Sequence, residues 1–254
     1  MRLALLPLLF LLLPACEPVQ PTARAAVNLD YARTSLGYRN SGALSAGRLL
    51  LWDAEDNSLV TLQSEIPLGT AAPTQPVQLE ATSVRGVQIS SSATLSDQAS
   101  AAIASKIRDD LSFVVKDAVR VNSTQVHSGI SDAYKALQAS GVNAFRAWRI
   151  ADVTGDRSRY RFVVLTDEIR ASEEEIRLDQ SAGGTASFSI VDQVAGNVTV
   201  TVPASTTAKC SGDGVVCYVN AMVLRVFLND SGNLDYEPSS FNSERLVTAL
   251  RGLS

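Results

Sequence analysis

The sequence predicts an α+β fold: an antiparallel sheet of several hairpins packed by one long amphipathic helix and shorter helices. Three observations carry that expectation. Short apolar runs separated by turn-forming residues recur along the chain, as hairpins require. The stretch from Thr94 to Ala118 instead repeats its apolar residues every three to four positions. The elements then follow the order β, β, α, α, several β, α, which groups hairpins and helices rather than alternating them one for one.

Residues 17–46 hold Pro18, Pro21, Gly37 and Gly42 among small and polar residues with no sustained apolar period, which predicts a tether, with a short helix allowed over Ala25 to Leu36. If flexible, about 30 such residues reach roughly 30 Å. The pattern changes at Arg48. Leu49 to Trp52 and Leu59 to Leu62 flank a polar stretch and predict a hairpin. Beyond the loop enclosed by Pro67, Pro73 and Pro76, Val77, Leu79 and Ala81, then Val84, Val87 and Ile89, predict extended chain. Thr94 with Asp97 approximates a capping pair, and Leu95, Ala99, Ile103, Ile107, Leu111, Val114 or Val115, and Ala118 make one apolar face of a helix of about 25 residues. A second helix is expected over Ser131 to Ala139, stopped by Gly141.

Strands are expected next at Ala144 to Val153 and Tyr160 to Thr166, joined as a hairpin, with Phe162 and Val164 on one face and Val163 and Leu165 on the other. The run Glu173 to Glu175 reads as a solvated loop or strand end. Phe188 to Val191 and Val198 to Val202 predict another hairpin around Ala195-Gly196-Asn197. Val215 to Leu228 is apolar on both alternating faces, so it belongs in the middle of a covered sheet, placed here against the long helix. Ser240 or Asn242 caps a last helix carrying Leu246, Val247 and Leu250. The chain thus divides into residues 1–15, a signal; 16–46, a tether; and 47–254, a single α+β domain.

Few kinds of chemistry fit this composition. Of 22 basic residues Arg2 lies within residues 1–15, so the remaining 21 stand against 26 acidic ones, a net charge of -5. An acidic chain without a basic cluster is not built for phosphate backbones, so no nucleic acid is expected as partner. The single His, His127, lies between two expected helices without a nucleophile motif beside it, and no catalytic residue is assigned. His and Cys are too few for a zinc site, and Asn229 to Glu237 offers oxygens around a Gly without the ligand spacing of an EF-hand loop, so no metal and no cofactor is expected. Cys210 and Cys217 are an even pair. In an exported chain they predict a disulfide that pins the turn before the strand from Val215.

Export is written at the start of the chain. Arg2 precedes a Leu-rich run from Leu3 to Leu13, too short to span about 30 Å of hydrocarbon and interrupted by Pro7. The run ends in Leu13-Pro14-Ala15-Cys16, which resembles the lipobox of bacterial lipoproteins; Pro14 departs from the small residue usual there. The resemblance implies cleavage before Cys16, lipidation of Cys16 and three acyl chains; since one chain alone binds only marginally, that anchor would be permanent. With Glu17 rather than Asp after that Cys, the resemblance further implies the outer membrane, facing the periplasm. The expected partners are therefore membrane lipid, through Cys16, and an envelope protein. The expected function is a non-catalytic structural or assembly component of an envelope complex. A lipoprotein that binds a lipid, glycan or small molecule is the alternative, ahead of an acid-based envelope hydrolase.

Overall fold

Alternation, not helical periodicity, governs most of this chain. In a computed structural model 47% of the residues are strand and 22% helix. The expected α+β class, with its long packing helix, is therefore corrected to a mostly β fold in which every helix is short. The structure describes residues 23–40, 43–63, 65–154, 159–178, 181–182, 186–202, 210, 212, 214–231 and 233–253.

The strands begin with β1 (Ala23–Asn28), β2 (Arg33–Thr34), β3 (Gly37–Arg39), β4 (Leu49–Asp53), β5 (Ser58–Gln63), β6 (Gly69–Thr70), β7 (Val77–Ala81) and β8 (Gln88–Ser91). Then come α1 (Asp97–Asp110), β9 (Leu111–Val121), β10 (Ser123–Thr124), α2 (Val126–Ala139), α3 (Ala144–Ala147) and α4 (Ile150–Val153). The second half holds β11 (Tyr160–Ala171), β12 (Glu173–Leu178), β13 (Ser181–Ala182), β14 (Ala186–Asp192), β15 (Gly196–Val202), β16 (Val215–Leu228), β17 (Leu234–Pro238) and α5 (Ser243–Arg251). A four-stranded sheet runs β14-β15-β1-β8, and an 11-stranded sheet runs β13-β12-β9-β11-β16-β3-β2, with β4 and β5 joined through β11, β17 through β16 and β7 through β9. Only the β1–β15 pair is parallel among the described pairings.

The long helix fails at Asp110. Ser96, not Thr94, is the N-cap, its Oγ accepting from the Ala99 amide at 3.1 Å, and Ala99, Ile103 and Ile107 are buried as the periodicity required. From Leu111 the chain becomes β9, which pairs with β7 and β12 and, at its far end, with β11. Leu111, Phe113 and Val115 satisfy a period of two as well as their neighbours satisfy a period of four, and the paired β-branched Val114 and Val115 favour the strand. Residues 23–40 likewise leave the expected tether. In β1 Ala23, Ala25 and Val27 are buried in alternation, and the chain continues as β2 and β3 inside the fold.

Three apolar clusters fill the molecule. One lies between the four-stranded sheet, α1 and the β9 and β12 side of the large sheet, and includes Val27, Ile103, Ile107, Phe113, Val198 and Cys217. The other two cover opposite faces of β11 and β16. Phe162, Val164, Leu224 and Val226 meet α2, α3 and α4, while Val163, Leu165, Val219 and Val223 meet α5. β16 is thus covered on both sides as expected, by these helices over most of its length, while Cys217 and Tyr218 at its start join the cluster that holds α1. Fully burying each such Val, Leu, Ile or Phe side chain contributes about 1.5–3 kcal/mol.

The expected strand over Ala144 to Val153 is also corrected. It forms α3 and α4, because Asn143 caps the first through Oδ1, which accepts from the Arg146 amide at 3.0 Å, and Arg149 at φ 53° separates the two turns. Ala144, Trp148, Ile150 and Val153 are buried by that arrangement. β11 pairs with β4 and β16 instead. The β4–β5 and β14–β15 hairpins, the stop at Gly141 with φ +81° and the Asn242 cap of α5 follow the sequence.

Candidate functional site

Two of the residues singled out by sequence come together. Cys210 and Cys217 form a disulfide with a Cα–Cα distance of 5.3 Å, both buried, at the start of β16. Cys16 lies outside the described residues. Its distance from the folded body is nonetheless bounded by covalent geometry, because the first described residue, Ala23, is already in β1. Seven Cα-to-Cα steps at about 3.6 Å each reach at most about 25 Å.

The sheet end where β1 begins is the part of the described fold nearest to Cys16 along the chain. Ala23 pairs with Val198 of β15, and β1 runs parallel to that strand, so Ala23 sits at the end of the sheet where the β14–β15 turn lies. Neighbouring Arg24 donates its amide to Ser92 Oγ at 3.0 Å, and its carbonyl accepts from the Ser92 amide at 2.9 Å. The outward face of this sheet is otherwise polar or small, with Arg24, Ala26, Gln88, Ser90, Ser187, Ser189 and Asn197. At its turn the pattern breaks. Val191 is 83% exposed and Val194 69% exposed, the two highest values among the exposed large apolar residues.

Between these two valines Asp192 is buried and acts as a latch. Its Oδ1 accepts from the Val194 amide at 3.0 Å and its Oδ2 from the Ser96 amide at 3.0 Å, tying the turn to the N-cap of α1. The Val194 amide first, then that of Ser96, hold the Asp192 carboxyl below the ordinary aspartate range. The valines are thus displayed by a fixed turn.

A second polar cluster lies deep in the fold. Arg39 is fully buried; its Nε donates to Glu174 Oε2 at 2.8 Å, its Nη2 lies 2.8 Å from the same oxygen, and its Nη1 lies 3.4 Å from Asp30 Oδ1. The Tyr218 hydroxyl donates to Glu174 Oε1, and the Phe113 ring lies 5.7 Å from the guanidinium carbon. Burial, reinforced by the Glu174 carboxylate, pushes the Tyr218 phenol well above its ordinary value and keeps it a donor. The expected solvated reading of Glu173 to Glu175 fails at its middle residue. The signal was there in the spacing: Glu174, Ile176 and Leu178 share one face of β12, and the last two are apolar. Arg39, Glu174 and Tyr218 are buried, and through them the cluster ties β3, β12 and β16 together, with Asp30 at its partly exposed edge.

The remaining candidates resolve into ordinary structure. His127 stacks edge-on against Tyr236 at 5.9 Å. Asn229 Oδ1 accepts from the Ser231 and Asn233 amides at 3.1 and 3.0 Å, so the polar stretch is the β16–β17 turn. Among the described residues no group of three or more His, Cys, Asp or Glu could hold a metal ion. A pocket of about 470 Å³ opens between α2 and the β16–β17 hairpin, lined by Tyr134, Phe145, Leu228, Leu234 and Tyr236 with Lys135 at its rim. Burial pushes the Tyr236 phenol up to about 12, against the opposing pull of Ser131.

No family model matches the chain, and no curated protein matches it. Among solved structures, a bacterial gasdermin from Bradyrhizobium tropiciagri aligns over 84% of this chain and 88% of its own, with a TM-score of 0.34 and 13% identity. A likeness at that level carries no argument about fold or function.

Proposed function

We propose that the chain is an exported bacterial lipoprotein, lipidated on Cys16 in the outer membrane and facing the periplasm, whose β-rich domain serves an envelope complex as a non-catalytic structural or assembly component. The observation that carries this reading is the short span between the lipobox cysteine and β1, which joins an anchor directly to a folded body. The buried Cys210–Cys217 disulfide supports it, since such bonds persist in oxidising compartments such as the periplasm. A second reading, a lipoprotein that binds a lipid, glycan or small molecule, is favoured by the pocket between α2 and the β16–β17 hairpin, where Tyr134, Phe145 and Tyr236 meet Ser131, Lys135 and Gln138.

One experiment separates these. The natural chain should fractionate with the outer membrane, and the mass of its N-terminal peptide should correspond to acylated Cys16. Cys16→Ser should leave a folded precursor or soluble form without acyl mass. Native mass spectrometry of that form then distinguishes the two roles: a retained small molecule supports the carrier, and the bare chain supports the structural component. A Cys16→Ser variant still acylated and correctly cleaved would end the lipoprotein reading altogether.

A further inference from the structure

We infer that the β14–β15 turn, through Val191 and Val194, is the surface by which this domain rests on the phospholipid bilayer. The inference depends on the lipoprotein reading proposed above and adds to it an orientation. Its premise is the position of the anchor relative to the fold. Ala23 stands at the turn end of the four-stranded sheet, paired with Val198, only two residues along β15 from Gly196 at the turn. An acylated Cys16 can lie no further than about 25 Å from Ala23. This end of the sheet is therefore the one held within about 25 Å of the anchor, and the opposite end, at Asn28 and Gln88, lies about 16 Å further along β1 at roughly 3.3 Å per residue.

The turn itself is made for an apolar boundary rather than for water. Val191, a β14 residue leading into it, and Val194 within it are largely exposed, with exposed Gln193 between them, where Asn, Asp, Ser or Gly is the usual choice for a solvated turn. The acidic residue between them is turned inward, both carboxylate oxygens engaged by amides, so its charge is not presented outward. Arg24, exposed one residue into β1, supplies a cation suited to lipid phosphate. Singly exposed valines are common on soluble proteins; two of them on a latched turn beside the anchored chain make a shallow interfacial contact.

The test places a fluorophore sensitive to its surroundings on the full-length acylated protein. Cys210 and Cys217 are bonded to each other, so Val194→Cys supplies a labelling thiol, and Gln88→Cys supplies the control at the far end of the same sheet. The labelled proteins are reconstituted into vesicles of phosphatidylethanolamine and phosphatidylglycerol, with and without brominated acyl chains. The expected result is a blue shift and a severalfold loss of emission in brominated vesicles at 194, with neither at 88. Co-flotation with both positions unaffected, or both affected equally, would refute the orientation while leaving the anchor standing. Failure to float, or labelling of Cys16 in the unsubstituted chain, would remove the anchor and the inference with it.

Discussion

Removing the charge of Glu174 while preserving its shape is the sharpest test of how this fold is held. In Glu174→Gln the Arg39 guanidinium stays buried but loses the carboxylate oxygen that both Nε and Nη2 approach at 2.8 Å. Asp30, at 3.4 Å and with its side chain 25% exposed, is the other carboxylate paired with Arg39 and is too distant to replace a close bidentate partner. Breaking a buried ion pair from one side destabilises by about 3–5 kcal/mol, because the survivor loses its close counter-charge, and the Asp30 contact places the expected loss toward the lower end. That is a large share of the roughly 5–15 kcal/mol by which domains are stable. Tyr218→Phe removes one hydrogen bond to a charged acceptor and should cost less, about 1.5–3 kcal/mol. Replacing the buried polar groups together with apolar side chains, Arg39→Met with Glu174→Leu and Tyr218→Phe, should recover most of the loss, since a packed apolar cluster often matches a buried ionic one and no donor is left unpaired. Urea unfolding followed by the fluorescence of Trp52 and Trp148, both buried, reads all three. A Glu174→Gln loss under about 1 kcal/mol at unchanged urea dependence would show that Arg39 reaches water by a small rearrangement, and the argument from burial would fail.

Two further outcomes follow from other polar links. Cys210→Ser with Cys217→Ser should cost about 2 kcal/mol in the chain-entropy account of so short a loop, and peptide mapping without reductant should recover the two cysteines joined. Asp192 has a lowered folded-state pKa, so its contribution is present above the unfolded value near 3.9 and is lost as the pH falls through the lower folded value. Amide exchange at Val194 and Ser96 should accelerate selectively in that acid window, and Asp192→Asn should flatten the change; equal acceleration across the whole sheet would instead point to global acid unfolding.

What could be read from the chain, and what could not, divides by how many periods a stretch satisfies. β11 was legible because Phe162 and Val164 against Val163 and Leu165 admit only alternation, and both faces are in fact covered. The α5 cap was legible because Asn242 precedes an unambiguous apolar stripe. Residues 111–118 were not, since Leu111, Val115 and Ala118 fit a helix while Leu111, Phe113 and Val115 fit a strand; only the pairing of β9 with β7, β11 and β12 decides between them. β1 was hidden for a different reason. Its inward positions include Ala23 and Ala25, too small to register as a hydrophobic pattern, and their burial becomes evident only beside Val198 and Val200 from the distant β15. At Glu174 a run of three acids resembles solvated chain and masks the spacing with Ile176 and Leu178 that marks an inward face, while the partner that accounts for its burial lies 135 residues away. The exposed valines of the β14–β15 turn lay within an expected hairpin, yet sequence does not say which apolar residues remain outside.

The correction at β1 changes more than the fold. A flexible tether of about 30 residues would let the domain turn freely at roughly 30 Å from its anchor, so any of its surfaces could face the membrane or a partner. On the lipoprotein reading proposed above, and with Ala23 already in β1, the greatest possible distance from Cys16 to the sheet is about 25 Å, shorter than that tether's mean reach. Freedom of rotation falls with it, because one fixed point of the sheet must stay within reach of the bilayer. The free energy of ordering the domain at the membrane is then largely supplied by the covalent attachment, and a weak apolar contact suffices to select one orientation. Two valines are a weak contact on their own. Given the anchor proposed on Cys16, they would act beside a fixed attachment, and a turn of such modest apolar area would then set which side of the β-rich body faces the bilayer.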